Sequence, residues 1–177
     1  MNEIETLQSQ ARDLYGTLEK PEQALALLKQ ALQLDPLNVE TLNLLAAVHY
    51  ELDDLEAVVQ YHQQALEICP HSVEALHGLA SLANEECDYA LALKYTKAAL
   101  AAVPLDPSTE FRENADYRQR LVAQVYIERA TALWMQGNED DARHLLTVTA
   151  PAACPLEEDN FAAELEWLAE NPDGEEL

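Results

Sequence analysis

Three stretches of the sequence repeat one pattern: EQALALLKQALQLDP at residues 22–36, EAVVQYHQQALEICP at residues 56–70 and DYALALKYTKAALAAVP at residues 88–104. Each stretch ends in a proline, at positions 36, 70 and 104, so the same step of 34 residues occurs twice. An alanine stands five residues before each proline, at positions 31, 65 and 99. Self-similarity at a fixed period of this size predicts a repeat protein in which each unit is one supersecondary element.

The composition favours helices. Of the 177 residues, 49% are hydrophobic, which is enough apolar material for a sizeable core. Only four residues are glycine, and the apolar set is mostly leucine and alanine, which leaves little for hairpins or strands. We therefore predict an all-α fold.

Polar residues that can cap a helix also stand just before apolar helical patterns. They are Asn38, Asp53 or Asp54, Ser72, Asp88 and Asn138. Asp53 and Glu56 have the spacing of a capping box. These residues predict where several of the helices begin.

The repeated stretches resemble the tetratricopeptide repeat (TPR) family, whose unit is an antiparallel helix pair with small residues where the helices touch and a proline near its end. Numbered from the family's first position, the units are 5–38, 39–72 and 73–106. Small residues occupy the contact positions of the second helices: Ala24, Ala31, Ala65, Ala92 and Ala99. Two positions depart from the family: Arg12 replaces the small residue in the first helix of the first unit, and Val58 stands where the second unit should have alanine. The resemblance implies a superhelical array of TPR-like antiparallel helix pairs.

A fourth unit follows an insertion. The segment GNEDDARHLL, which begins at Gly137, resembles the start of a second TPR helix, so this unit spans 123–156 and the insertion 107–122. Pro151 is expected to interrupt that second helix.

The C-terminal segment is predicted to end the array. Residues 157–170 place Phe161, Leu165 and Leu168 on one helical stripe among acidic residues, as in a capping helix. We predict a single TPR-like domain over residues 1–170 and a disordered acidic tail over residues 171–177.

The charge excludes several partners. Ten Lys and Arg stand against 33 Asp and Glu, giving a formal net charge of -23. Nucleic acids and anionic membranes are bound through clustered basic residues, so neither is expected as a partner. The start MNEIETLQSQ has no basic or apolar leader, and we expect a cytoplasmic protein.

No motif points to catalysis. The sequence has no glycine-rich phosphate loop, nucleophile elbow or paired zinc-binding histidines, and its five histidines are scattered. We expect a non-enzymatic protein that requires neither a cofactor nor a metal.

The resemblance also implies a binding surface, because the first helix of each TPR unit lines a concave groove. The corresponding positions carry Glu40, Asn43, Leu44, Tyr50 and Glu51 in the second unit, Glu74, His77, Ser81, Asn84 and Glu85 in the third, and Glu128, Thr131 and Trp134 in the fourth. This stripe is polar, open and acidic in its middle units. Tyr50 and Trp134 have a second interpretation, in which they pack against neighbouring helices.

Our hypothesis is a non-enzymatic interaction module, an adaptor or chaperone-like protein that binds a basic peptide segment or helix in its groove. An acidic groove attracts a basic segment and speeds association. High net charge also improves solubility. The sequence favours neither explanation of the acidic charge, partner attraction or solubility, over the other. One alternative is a small acidic secretion chaperone of the TPR type. Another is a structural or oligomerisation subunit that uses a different surface.

Overall fold

The computed structural model describes residues 2–18 and 20–171, except for the side chains of residues 109, 110, 156 and 158. Apart from Asn171, the predicted disordered tail lies outside the described residues. Within the described part of the chain every regular element is a helix, which confirms the predicted all-α fold. None of these helices is both long and apolar enough to span a bilayer.

The chain forms two compact units, Met1–Pro70 and His71–Leu177. The prediction of a single domain stays a prediction. The N-terminal unit contains α1 (Glu3–Gly16), α2 (Pro21–Leu34), α3 (Val39–Glu51) and α4 (Leu55–Ile68). Here α1 packs on α2, α3 packs on α4, and α2 packs on α3. Short connections between packed neighbours make each pair an antiparallel helical hairpin.

The C-terminal unit begins with one more such pair and continues with a longer helix. Its α-helices are α5 (Val73–Glu85), α6 (Tyr89–Ala102), α7 (Thr109–Glu113), α8 (Ala115–Met135), α9 (Glu139–His144), α10 (Ala150–Ala153) and α11 (Glu158–Glu170). Both α5 and α6 pack against α8, and α11 packs on α8 and α10. The predicted insertion, residues 107–122, therefore supplies α7 and the first part of α8.

A single turn of π-helix, Leu145–Thr149, joins α9 to α10. The amide of Ala150 donates to the carbonyl oxygen of Leu145, five residues back. Pro151, which was expected to interrupt the second helix, directly follows this π-turn as the second residue of α10, a helix of only four residues.

Side-chain caps set the helix starts. Backbone amides at the third helical position donate to the side chains of Asn38, Asp54, Ser72 and Asp88. The predicted capping box at Asp53 is wrong, since Asp54 is the cap and Asp53 adopts a left-handed backbone with φ of 58°. Asn138 precedes α9 but makes no capping bond through its side chain.

The left-handed residue before the cap is itself a repeated feature. Cys87, 34 residues after Asp53, has φ of 59°, and Gly137 has φ of 81°. Each precedes the second helix of a hairpin by two residues. The reversal in each of these three hairpins thus depends on one residue with positive φ, a conformation that costs a non-glycine residue some free energy.

Small and branched apolar residues fill the space between the helices. Ala31, Ala65 and Ala99, which mark the repeat, are completely buried. In the N-terminal unit the core centres on Ala24, Leu28, Leu45 and neighbouring residues of α1 and α3. In the C-terminal unit, Ala83, Ala92 and Ala132 bring α5, α6 and α8 together. Close helix contact at these alanines positions the polar faces described next.

Candidate functional site

In the N-terminal unit, the predicted site residues of α3 divide into exposed and buried groups. Tyr50 is 46% exposed and Glu51 is exposed as well. Leu44 belongs to the core, and Asn43 is buried, with its Oδ1 atom 3.4 Å from Nδ1 of His62. Of these four residues, only the two at the C-terminal end of α3 present side chains that a partner can reach directly.

Glu40, the remaining predicted site residue of this unit, forms an ion pair. Arg12 of α1 donates from Nη2 to its Oε1 at 2.6 Å. Arg12 is one of the two residues that depart from the family pattern, so the larger side chain supplies a cation at that point. The carboxylate of Glu40 is satisfied within the unit.

A second polar contact of α1 lies beside this pair. Nε2 of the buried Gln8 donates to Oδ1 of Asn38 at 3.0 Å and to Oγ1 of Thr41 at 2.9 Å. Thr41 also donates to Asn38, so the cap of α3 is tied to α1. Sequence reasoning did not identify Gln8, whose only signal is a polar residue between apolar positions of α1.

In the C-terminal unit, the predicted residues of α5 and α8 also differ in exposure. Glu85 is exposed, and Glu74, Ser81, His77 and Glu128 are half-buried. Asn84, Thr131 and Trp134 are buried. Trp134 stacks with Arg143, whose guanidinium carbon lies 4.6 Å from the ring centroid. This contact matches the second interpretation of Trp134, in which the ring packs against a neighbouring helix.

Five residues from three helices meet in what we call the inner acidic cluster: His77 and Asn84 of α5, Glu128 and Thr131 of α8, and Glu164 of α11. Nδ2 of Asn84 donates to the carbonyl oxygen of Glu128 at 2.9 Å and to its Oε2 at 2.6 Å. Oγ1 of Thr131 donates to Oε1 of Glu164 at 2.8 Å. Nε2 of His77 lies 3.9 Å from Oε1 of Glu128.

Four of these residues were predicted site residues, and Glu164 was not. Glu164 follows Phe161 by three residues and so shares the inward face of α11. That spacing was the available signal for Glu164.

Burial controls the protonation of the cluster. It raises the pKa of Glu128, and hydrogen bonds from Asn84 and Ser81 partly oppose the rise. Burial likewise raises the pKa of Glu164; the bond from Thr131 lowers it, and the charge of Glu128 raises it further. Burial lowers the pKa of His77 from 6.5 to about 4, so this imidazole is neutral at pH 7.

Among the described residues, no group of three or more His, Cys, Asp and Glu side chains is arranged to hold a metal ion. Cys69, Cys87 and Cys154 are free thiols.

Taken together, the antiparallel hairpins and the 34-residue step define a helical repeat protein. Residues 39–69, which include α3 and α4, match the family model of the tetratricopeptide repeat. This match supports a tetratricopeptide repeat over those residues and confirms the resemblance inferred from the sequence. No curated protein matches the chain. A repeat of this family suggests a protein–protein interaction module, and the family is typically non-enzymatic.

Proposed function

We propose that the protein is a non-enzymatic adaptor or chaperone-like module that binds a basic peptide segment or helix. The contact residues would lie on the first helices of its hairpins, where Tyr50 and Glu51 on α3 and Glu85 on α5 are exposed. A cytoplasmic location is part of this proposal, and fractionation of the source cells tests it.

The observation that carries the proposal is the distribution of charge. Residues 39–72 contain six acidic residues and no Lys or Arg. A surface with one sign of charge attracts segments of the opposite sign and speeds their association, an effect that weakens as salt is added. Tyr50 adds a large amphipathic ring, the type of side chain that is enriched among energetically important interface residues.

The test compares two matched double variants in affinity capture from lysate, followed by crosslinking to identify the bound segments. Glu51→Gln with Glu85→Gln removes two charges from the proposed faces. Glu67→Gln with Glu113→Gln removes two exposed charges elsewhere. We expect basic segments to crosslink near Tyr50 and to be depleted only in the first variant.

Two results would contradict the proposal. Equal capture by both variants would place binding outside these faces, and acidic or uncharged captured segments would refute the expected chemistry. A native mass showing a stable oligomer with no bound segment would favour the structural alternative.

A further inference from the structure

We infer that the inner acidic cluster of the C-terminal unit is a binding site for one arginine side chain of a basic protein segment. This inference rests on the proposed function, because it names the chemical group through which that partner is held. It places the strongest contact on α5, α8 and α11.

The first observation is that two carboxylates are held in place without a cation. Oε2 of Glu128 is fixed by Asn84 at 2.6 Å, and Oε1 of Glu164 by Thr131 at 2.8 Å. In the described part of the chain, neither carboxylate has a Lys or Arg nitrogen within 4.0 Å. A buried carboxylate without a cation is costly, and a cation supplied from outside relieves that cost.

The second, independent observation is a set of polar atoms without partners. Nε2 of His77 and Oδ1 of Asn84 are buried, and neither has a hydrogen-bond partner among the described residues. Nε2 of His77 lies 3.9 Å from Oε1 of Glu128, which is too long for a hydrogen bond. Buried polar atoms in folded proteins are nearly always paired, so the cluster has two unused hydrogen-bonding atoms beside its carboxylates.

The cluster can be reached from solvent. The side chains of His77 and Glu128 retain 19% and 20% of their exposure, although the His77 nitrogen itself is covered. The cluster therefore borders solvent on the side of His77 and Glu128, which is where a partner side chain would approach it.

The available acceptors fit a guanidinium group better than an ammonium group. Both carboxylates and Oδ1 of Asn84 accept hydrogen bonds, and neutral His77 accepts at Nε2 in one of its tautomers. Arginine has five N–H donors in a planar fork that can span several acceptors, whereas lysine has three donors around a single point. Arginine should consequently bind more tightly than lysine at this site.

The experiment titrates the full-length, isotope-labelled protein with three capped peptides, Gly-Ser-X-Ser-Gly, in which X is arginine, lysine or citrulline. Citrulline is a neutral isostere of arginine. Ring resonances of His77 report binding by NMR. We expect saturable shifts with arginine, weaker binding with lysine and no shift with citrulline.

Charge-neutral variants then locate the contact. Glu128→Gln and Glu164→Gln keep an acceptor oxygen for Asn84 and for Thr131, so folding should be preserved. Each should weaken arginine-peptide binding by at least about tenfold, the scale expected for a buried charge pair. Glu166→Gln, an exposed position on the same helix, removes the same charge and should change binding by less than about twofold.

Three outcomes would overturn the inference. These are equal binding of citrulline and arginine peptides, equal weakening in the Glu166→Gln control, and shifts of His77 produced by Mg²⁺ but not by the arginine peptide. If a variant fails to fold, the wild-type titration with the three peptides still decides the matter. A captured segment that binds the wild-type protein and Glu128→Gln equally would refute this site while leaving the proposed function intact.

Discussion

The two compact units differ in how they neutralise partly buried carboxylates. In the N-terminal unit, Glu40 receives a hydrogen bond from Arg12 of the preceding hairpin, and both side chains remain about one third exposed. In the C-terminal unit, Glu128 and Glu164 are more deeply placed and receive bonds only from neutral groups. The repeat thus fixes where the helices lie, while one side chain on a neighbouring helix decides whether a charge is neutralised internally.

The largest expected effect comes from separating α11 from its unit. Phe161 is almost completely buried, so Phe161→Ala should reduce the free energy of unfolding of the C-terminal unit by about 3–5 kcal/mol. Both tryptophans, Trp134 and Trp167, lie in this unit, so their fluorescence in urea reports it alone. The inner acidic cluster should be lost with α11.

A matched control for this change is Leu165→Ala on the same helix, because Leu165 is only half-buried. We expect Leu165→Ala to reduce the free energy of unfolding clearly less than Phe161→Ala does. A Phe161→Ala protein with the unfolding midpoint of the wild type would show that α11 is not held by this ring.

The next effect concerns pH. The pKa of folded His77, about 4, lies below its ordinary value of 6.5, so its contribution to stability is complete above pH 6.5 and is lost as the pH falls through 4. The raised pKa values of Glu128 and Glu164 act in the opposite direction: their contribution is complete below the ordinary value of 4.5 and is lost as the pH rises through the folded pKa. The two effects partly cancel in the wild-type protein.

His77→Gln separates these contributions. Between pH 7 and pH 4 the wild-type protein should lose on the order of 2 kcal/mol more unfolding free energy than His77→Gln, as measured by urea titrations followed by tryptophan fluorescence. His71→Gln, at an exposed position, is the matched control and should behave like the wild type. Parallel pH profiles for all three proteins would contradict the burial of a neutral His77.

Much of the helical framework could be predicted, because the repeat is a property of spacing. The alanines at positions 31, 65 and 99 are all buried, and Asn38, Ser72 and Asp88 cap helices as expected. Asp53 and Asp54 could not be distinguished, since either has the side chain needed for a cap. The choice depends on which of them adopts the left-handed backbone.

The candidate site could be predicted only in part. The spacing placed Asn84 on the predicted stripe of α5, and Glu128 and Thr131 on that of α8, but their bonds join residues 33 and 44 positions apart in the chain. Such pairs depend on the rotation of each helix about its axis, which a 34-residue period does not specify. The roles of Arg12 and Glu164 were missed for the same reason.

A smaller effect tests the polar contact of the N-terminal unit. Gln8→Ala removes two donated hydrogen bonds and leaves the buried hydroxyl of Thr41 with one partner fewer. The free energy of unfolding should therefore fall by about 1 kcal/mol. Hydrogen exchange of the α1 and α3 amides measures the loss locally. Gln10→Ala, an exposed neighbour, should leave exchange unchanged. Equal protection in the two variants would show that the contact does not stabilise the unit.

The smallest effect on stability, and the sharpest test of the comparison, comes from Arg12→Gln. Because the pair with Glu40 is about one third exposed, its loss should cost less than about 1 kcal/mol in chemical unfolding. The variant nevertheless leaves Glu40 without an arginine partner, which is also the condition of Glu128 in the C-terminal unit. Arginine peptides should then shift the NMR resonances of the backbone amides around Glu40, an effect absent in the wild type.

Lys29→Gln removes an exposed charge from the same unit and should produce no such shift. If both variants behave alike, net charge rather than a missing cation governs binding, and the difference between the units carries no functional meaning.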